Sequence, residues 1–418
     1  MEPSDHLFRR EAGHMVAALT RAFGIHNLAL AEDVVQDAFC RALEIWKFRG
    51  IPDNPSVWLM KTAKNRALDV LRRERTARTF APDLGRLLQT EWTLASAVEE
   101  ILDPTGIADD QLRMMFSCCH PRLPETAQVM LVLQLVGGFG AREITAAFVT
   151  TRAAVEKRLT RSKKVLAESG DLFDLADSAD FVTRLPAVQR ALYLTFSEGY
   201  HGASSRAVVR ADVCREAIRL TRILAEHPLG AEPSTLALCA LMYLDVARLP
   251  ARLDASGNLS SLFDQDRSRW DRAAIAQGRA WLERSAVGAE VSRYHVEAAI
   301  ASVHADAPRF EETDWSAIVA LYDQLMTIAP SPIVALNRAI AIAQLRGPQP
   351  GLQAIDAIAE SDRLTEYPFY HAARGELELR RRNGASAEAH FKTALALARN
   401  ANERRFLERR LAACADYG

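Results

Sequence analysis

Apolar residues recur along this chain every three to four positions, and the alternation that marks a strand is nearly absent. The pattern predicts helix after helix, and so an all-α fold class. In the first stretch the apolar positions are Leu7, Val16, Leu19 and Phe23, then Val34, Val35, Ala38, Phe39, Ala42 and Leu43, then Trp58, Leu59, Ala63, Ala67, Leu68 and Leu71. Between the last two sets lies Phe48-Arg-Gly-Ile-Pro-Asp-Asn-Pro55, whose glycine and two prolines mark a loop. Phe80 to Thr105 reads as a linker holding at most one short helix. A second helical block spans Asp109 to Glu168, and from Leu172 the chain is helical again as a separate body.

That last body contains a weak internal repeat. Asn337-Arg-Ala-Ile-Ala-Ile-Ala-Gln-Leu-Arg-Gly aligns with Ala373-Arg-Gly-Glu-Leu-Glu-Leu-Arg-Arg-Arg-Asn at an offset of 36, and the offset carries Ile355 and Ile358 onto Phe391 and Ala394. Helix pairs recurring at this period predict stacked tetratricopeptide-like units over about residues 315–400, with a concave face suited to other chains or peptides.

Composition narrows the class without naming a function. With 418 residues, 49% apolar and 25% charged, the chain can bury several cores and is not of a disordered, collagen or coiled-coil type. Val129 to Ala141 is read as the longest apolar run; Gln134 and three glycines interrupt it, so no membrane span is expected. The start has no basic region followed by an apolar stretch, so no signal peptide is read and the expected location is the cytoplasm. Six cysteines without a CxxC pair are expected to stay as reduced thiols.

The net charge of -1 conceals two basic patches. Lys61 to Arg78 carries seven basic residues against Asp69 and Glu74, and Arg142 to Lys164 carries seven against Glu143 and Glu156. Such clusters suit a phosphate backbone, because each neutralised phosphate releases a counterion; singly, they also suit a solvated helix face.

The sharpest local feature is Ala141-Arg-Glu-Ile-Thr-Ala-Ala-Phe148, then Val149-Thr-Thr151, then a helix from Arg152 to Leu166. Ile144 and Phe148 are spaced to pack on Val155 and Leu159, which makes a helix-turn-helix whose second helix presents Arg152, Glu156, Lys157, Thr160 and Arg161 to a major groove. Gly137-Gly-Phe-Gly140 just before it is not a phosphate loop, because Glu143 stands where GxGxxG needs glycine. A second constellation pairs Ala31-Glu-Asp-Val-Val-Gln-Asp-Ala-Phe-Cys-Arg-Ala-Leu43, with its acidic and amide face, with the cationic Trp58 to Arg73. The first suits docking on a protein and the second suits nucleic acid.

Taken together, AEDVVQDAFCRAL, then FRG, WL and KNRALDVLRR, then REITAAFVTTRAAVEKRL resemble the extracytoplasmic-function (ECF) sigma factors of bacterial RNA polymerase over roughly residues 5–168. The rest is similar to the subgroup with a long tetratricopeptide-like C-terminal extension, at segments such as Phe196-Ser-Glu-Gly-Tyr200 and Thr327 to Arg338. The resemblance implies sigma region 2 over residues 1–79, a linker over 80–108, sigma region 4 over 109–169 and a helical extension over 170–418. It implies that Asp33, Gln36, Asp37 and Arg41 grip core RNA polymerase. Phe48, Arg49, Asn54, Lys61, Lys64, Asn65, Arg66, Arg72 and Arg73 would engage the minus-ten element, where a base is captured outside the stack. Thr151, Arg152, Glu156, Lys157, Arg158, Thr160 and Arg161 would read the minus-thirty-five element. The proline-rich Ile51 to Pro55 departs from the family's usual loop.

Core polymerase and promoter DNA are thus the expected partners, with no cofactor and no enzymatic activity, and the extension is expected to regulate the sigma part in cis or to meet a protein or peptide regulator. Rival readings are a conventional helix-turn-helix regulator with a sensing domain, and a helical hydrolase in residues 172–418. The second lacks HExxH, GxSxG or any nucleophile with a base at usable spacing. Cys118-Cys119-His120 has no second ligand pair for zinc, and Asp264-Gln-Asp266 lacks the glycine and bidentate glutamate of a calcium loop. Trp270, Trp281 and Trp315 read as core anchors.

Overall fold

The structure is a computed structural model that describes residues 3–77, 104–141, 144–145, 151–170, 173, 178–201, 210–254 and 258–417. The described residues are helical, with no strand beyond an isolated antiparallel bridge between Leu253 and Leu259, so the all-α expectation holds. The chain forms two compact units, Met1–Thr195 and Phe196–Gly418.

In unit one, α1 (Pro3–Phe23), α2 (Leu28–Arg49) and α3 (Pro55–Ala77) form the first group. The seam between α2 and α3 is lined by alanines: Ala38, Ala42, Ala63 and Ala67 are at most 1% exposed, and such small side chains let two helices approach closely. Trp46 meets Trp58 edge to face at 5.4 Å and fixes the hairpin beside its connecting turn. The connection is shorter than the sequence suggests. Phe48 and Arg49 complete α2, Gly50 ends it at φ 78°, and Pro55 opens α3 at the position where a missing N–H costs nothing.

The second group is α4 (Pro104–Cys118), α5 (Glu125–Leu131) running into a π turn (Val132–Val136), and α6 (Arg152–Ala167). α1 packs on both α4 and the π turn, so the two sigma-like segments share one unit. The helix α7 (Ser178–His201) then begins inside this unit: Phe173 and Phe181 both stack on Phe116, at 4.8 and 4.2 Å. The division between the compact units thus falls within α7, at Thr195. The expected linker falls mostly in 78–103, outside the described residues.

Unit two stacks helical hairpins: α8 (Ala211–Glu226), α9 (Pro233–Val246), α10 (Arg272–Ser285), α11 (Arg293–Asp306), α12 (Trp315–Ile328), α13 (Pro332–Arg346), α14 (Pro348–Asp356), α15 (Pro368–Arg380), α16 (Gly384–Ala396) and α17 (Ala401–Ala412). The pair α13–α14 and the pair α15–α16 start 36 residues apart, helix for helix. Ile355, Ile358, Phe391 and Ala394 are all buried, as the offset requires. Trp270 and Trp281 are buried as expected, and Trp315 packs at the edge of the α11–α13 core. One apolar stretch escaped the sequence reading. Pro233–Ala251 is long and apolar enough to cross a membrane by composition, yet Leu236, Leu238, Cys239 and Met242 of α9 are at most 5% exposed, packed between α8, α10 and α11. A helix apolar on every side is what the centre of a helical body demands.

Candidate nucleic-acid interface

The face assigned to polymerase is formed as α2 turns its alanine and valine positions inward. Asp33, Gln36, Asp37 and Arg41 then share the opposite, exposed side at helical spacing. Arg66 of α3 donates through Nε to Asp37 at 3.1 Å, so a residue expected on DNA holds one expected on polymerase. The neighbouring Glu32 faces another way. Its carboxylate accepts from Lys163 of α6 at 2.6 Å, and burial pushes its proton affinity up despite that partner.

Around the hairpin tip, Phe48 is 84% exposed, with the Lys47 ammonium 5.8 Å from its ring. Leu43 and Ile51 are 57% and 65% exposed, which corrects the placement of Leu43 among the apolar positions of the bundle: it lies one step off the face that buries Ala42. This run of exposed apolar side chains was not singled out from sequence. The departure from the inward spacing of Ala31, Val34, Ala38 and Ala42 was the signal available. Asn54 starts α3, accepting from Val57 N at 3.2 Å, so its amide is already committed to the backbone. Arg49, Lys61, Asn65, Arg72 and Arg73 are exposed, whereas Lys64 and Arg66 are half-buried; burial lowers the proton affinity of Lys64.

On α6, Val155 and Leu159 are buried with Ile144, as the helix-turn-helix pattern requires. Phe148 and the turn lie outside the described residues. Thr151 caps α6, accepting from Ala154 N at 3.2 Å. Arg152, Glu156, Lys157, Arg158, Thr160 and Arg161 are all exposed. Arg152 and Glu156 pair at 2.6 Å, and the Thr160 hydroxyl donates to the Glu156 carbonyl, leaving a face whose cations outnumber its one carboxylate. The arrangement supplies three separate surfaces: an acidic helix face, an aromatic tip flanked by cations, and a basic helix.

Residues 7–77 match Sigma-70 region 2, and they contain α2, α3 and the exposed tip between them. The chain carries a sigma-70 region 2. Behind it, residues 184–286 match a family of unknown function (DUF6596). The chain is 38% identical over 396 residues to "Uncharacterized protein R00370" of Rhizobium meliloti (strain 1021), covering 95% of this chain and 92% of that protein. Region 2 at the N-terminus with this further region behind it fits an ECF-like sigma factor with a long C-terminal extension. Such a sigma-70 domain supports association with core RNA polymerase and recognition of promoter DNA.

Other sequence candidates have structural roles. Burial pushes the Cys119 thiol up to about 12 and Cys118 well above its ordinary value, which keeps both protonated, and among the described residues no group of three or more His, Cys, Asp or Glu is placed to hold a metal. Asp264 accepts from the Ser261 hydroxyl, and Asp266 caps a turn through Ser268, so neighbouring serines hold both carboxylates.

Proposed function

We propose that the protein is an ECF-type sigma factor, a non-enzymatic subunit that works in the cytoplasm, brings core RNA polymerase to a promoter and opens the DNA there. The observation that carries this reading is the tip between α2 and α3. A phenyl ring 84% exposed, with the Lys47 ammonium beside it, is a platform on which an unpaired base can stack. Asp33, Gln36, Asp37 and Arg41 dock on the polymerase. Phe48, Arg49, Asn65 and the lysines of α3 engage the minus-ten element, and α6 reads the minus-thirty-five element through Lys157 and Arg161, which lie four apart on one face. Permanganate reactivity of promoter thymines, measured with core polymerase and this protein, tests it. Unpaired thymines near the start site are expected only with both components, and Phe48→Ala should reduce them. A promoter that stays closed with both present counts against the reading.

The hairpins of unit two, in this proposal, are tetratricopeptide-like and regulate the sigma part in cis, in response to a protein or peptide. The 36-residue spacing of the paired helices supports that. A truncation that tests it must respect α7. Ending at Ser169 would strip Phe173 and Phe181 from Phe116, whereas ending at His201 keeps that cluster whole. Regulation in cis requires promoter output to change, up or down, in the protein ending at His201; an unchanged output makes unit two a passive appendage.

A further inference from the structure

We infer that the outer face of α17, together with the arginines that close α15, is a further contact for the phosphate backbone of duplex DNA, separate from the promoter readers of unit one and resting on the sigma reading above for the DNA it meets. Charge is unevenly shared along unit two. Residues 196–373 hold seventeen basic residues against twenty-two acidic ones, whereas residues 374–418 hold ten against six. Nine of those ten are arginines, whose planar fork of donors matches phosphate oxygens.

α17 buries Glu403 and Leu407 and turns Arg404, Arg405, Glu408 and Arg409 to solvent, at the spacing of one helix face. Arg404 has no partner among the described residues, Arg405 bonds to the neutral Asn402, and Glu408 is the one carboxylate in this set. Arg409 shares Asp254 at 3.3 Å and stays exposed. The next residue, Arg410, pairs with Glu376 of α15, so this end of α17 lies about one helical turn from the exposed Arg380, Arg381 and Arg382. Arg381 pairs with Glu378, but Arg380 bonds to the neutral Gln344 and to the Ala343 carbonyl, and Arg382 has no partner among the described residues. Four exposed arginines thus lack a carboxylate.

Local stability does not explain them. Arg404 and Arg405 stand near the start of α17, the end where the helix dipole disfavours a cation. Arg382 sits at φ 60°, the left-handed backbone that suits glycine, and the turn that ends α13 uses Gly347 at φ 91°. The face also lacks what a protein partner needs. Among the described residues beyond Leu345 no large apolar side chain is exposed, and a protein interface draws its affinity from such anchors, whereas phosphate contacts need charge alone.

The test uses the full chain and a fluorescent duplex of about 40 base pairs, with binding followed by anisotropy across a KCl series. Combining Arg382→Gly, Arg404→Gln and Arg405→Gln removes three exposed charges without breaking an ion pair, and the glycine suits the backbone it enters. The triple variant should bind at least about tenfold more weakly at low salt, and its slope of log affinity against log salt should be shallower by about 2 to 3, since each lost phosphate contact removes about 0.9. Should the triple variant fold poorly, Arg404→Gln alone should flatten the slope by about 1. Equal affinity and slope in a folded variant overturn the contact, as does a wild-type chain that binds no duplex at low salt. Unchanged DNA binding with weakened core polymerase association makes the face a protein dock and overturns its assignment to DNA. Run-off transcription by the same wild-type sample with core polymerase reads the sigma function separately: no transcript, beside a flattened slope in the variant, sinks the sigma reading and leaves the contact standing.

Discussion

In unit one most charged side chains of α2, α3 and α6 stand on outer faces, the shielded Glu32–Lys163 pair and the half-buried Lys64 and Arg66 excepted, whereas unit two turns several of its own fully inward: Arg267, Glu403 and His304 are 3%, 4% and 7% exposed. Arg267 donates to the carbonyls of His304 and Ala307 and to the Thr313 hydroxyl, and its guanidinium lies 5.1 Å from the Trp270 ring. Glu403 is clasped by Arg399 and accepts from the Arg399 backbone. The contrast separates two uses of charge. An exposed charge costs little to keep and is available to another macromolecule. An inward one fixes how helices stack and is expensive to leave without its partner.

The largest effect should therefore come from unit two. Arg267→Ala leaves two carbonyls and a hydroxyl without a buried donor, and should lower the stability of that unit by about 3 to 5 kcal/mol, read from denaturant unfolding followed by tryptophan fluorescence. Comparable stability in the variant would remove the contrast. In unit one, by comparison, Asp33→Lys should leave folding intact and weaken association with core polymerase by at least about tenfold in a pull-down titration. The single change is cleaner than one at Asp37, which would also place a lysine beside Arg66. Phe48→Ala should cost about 1 to 3 kcal/mol in promoter melting through the lost stacking platform, again without loss of fold. Lys157→Ala should cost about 1 to 3 kcal/mol at a promoter that depends on its upstream element, measured by initiation rate, and much less at one that does not.

The smallest effect concerns pH and sharpens the comparison further. Burial pushes Glu198 up to about 7 and Asp245 up to about 6, and lowers His304 to about 3. Glu198 holds its proton more tightly folded than unfolded, so its contribution to stability is greatest in acid and declines as pH rises from about 4.5 to about 7. His304 has the opposite sign, since it must take up a proton on unfolding below about 6.5. The two oppose each other in wild-type protein, so the informative quantity is a difference. Glu198→Gln should gain about 1 to 2 kcal/mol relative to wild type between about pH 5 and pH 8. A constant difference across that range would show that Glu198 is not desolvated.

What was legible in the sequence followed the helical period. The inward alanines of α2 and α3, the buried Ile144, Val155 and Leu159, and the 36-residue spacing of the hairpins all appear where periodicity puts them. What was not legible depends on contacts between distant residues. Gly13 gives no sign of its approach to Val136, and Glu32 reads as one more solvated acid until Lys163 is placed against it. The division of the compact units at Thr195 was not legible either, because it falls inside α7, whose pattern does not change there. Arg267 and Glu198 were missed because a charge in an amphipathic helix or a polar turn reads as exposed until the stacking is known.

Whether the exposed faces of unit one are a sigma factor's working surfaces is decided by run-off transcription with purified core polymerase on a promoter library. Initiation from a specific subset of promoters is expected only when this protein is present, and Asp33→Lys and Phe48→Ala should weaken it. Sequence-specific DNA binding that never requires core polymerase, with no transcript from any promoter, would contradict it and favour a conventional helix-turn-helix regulator.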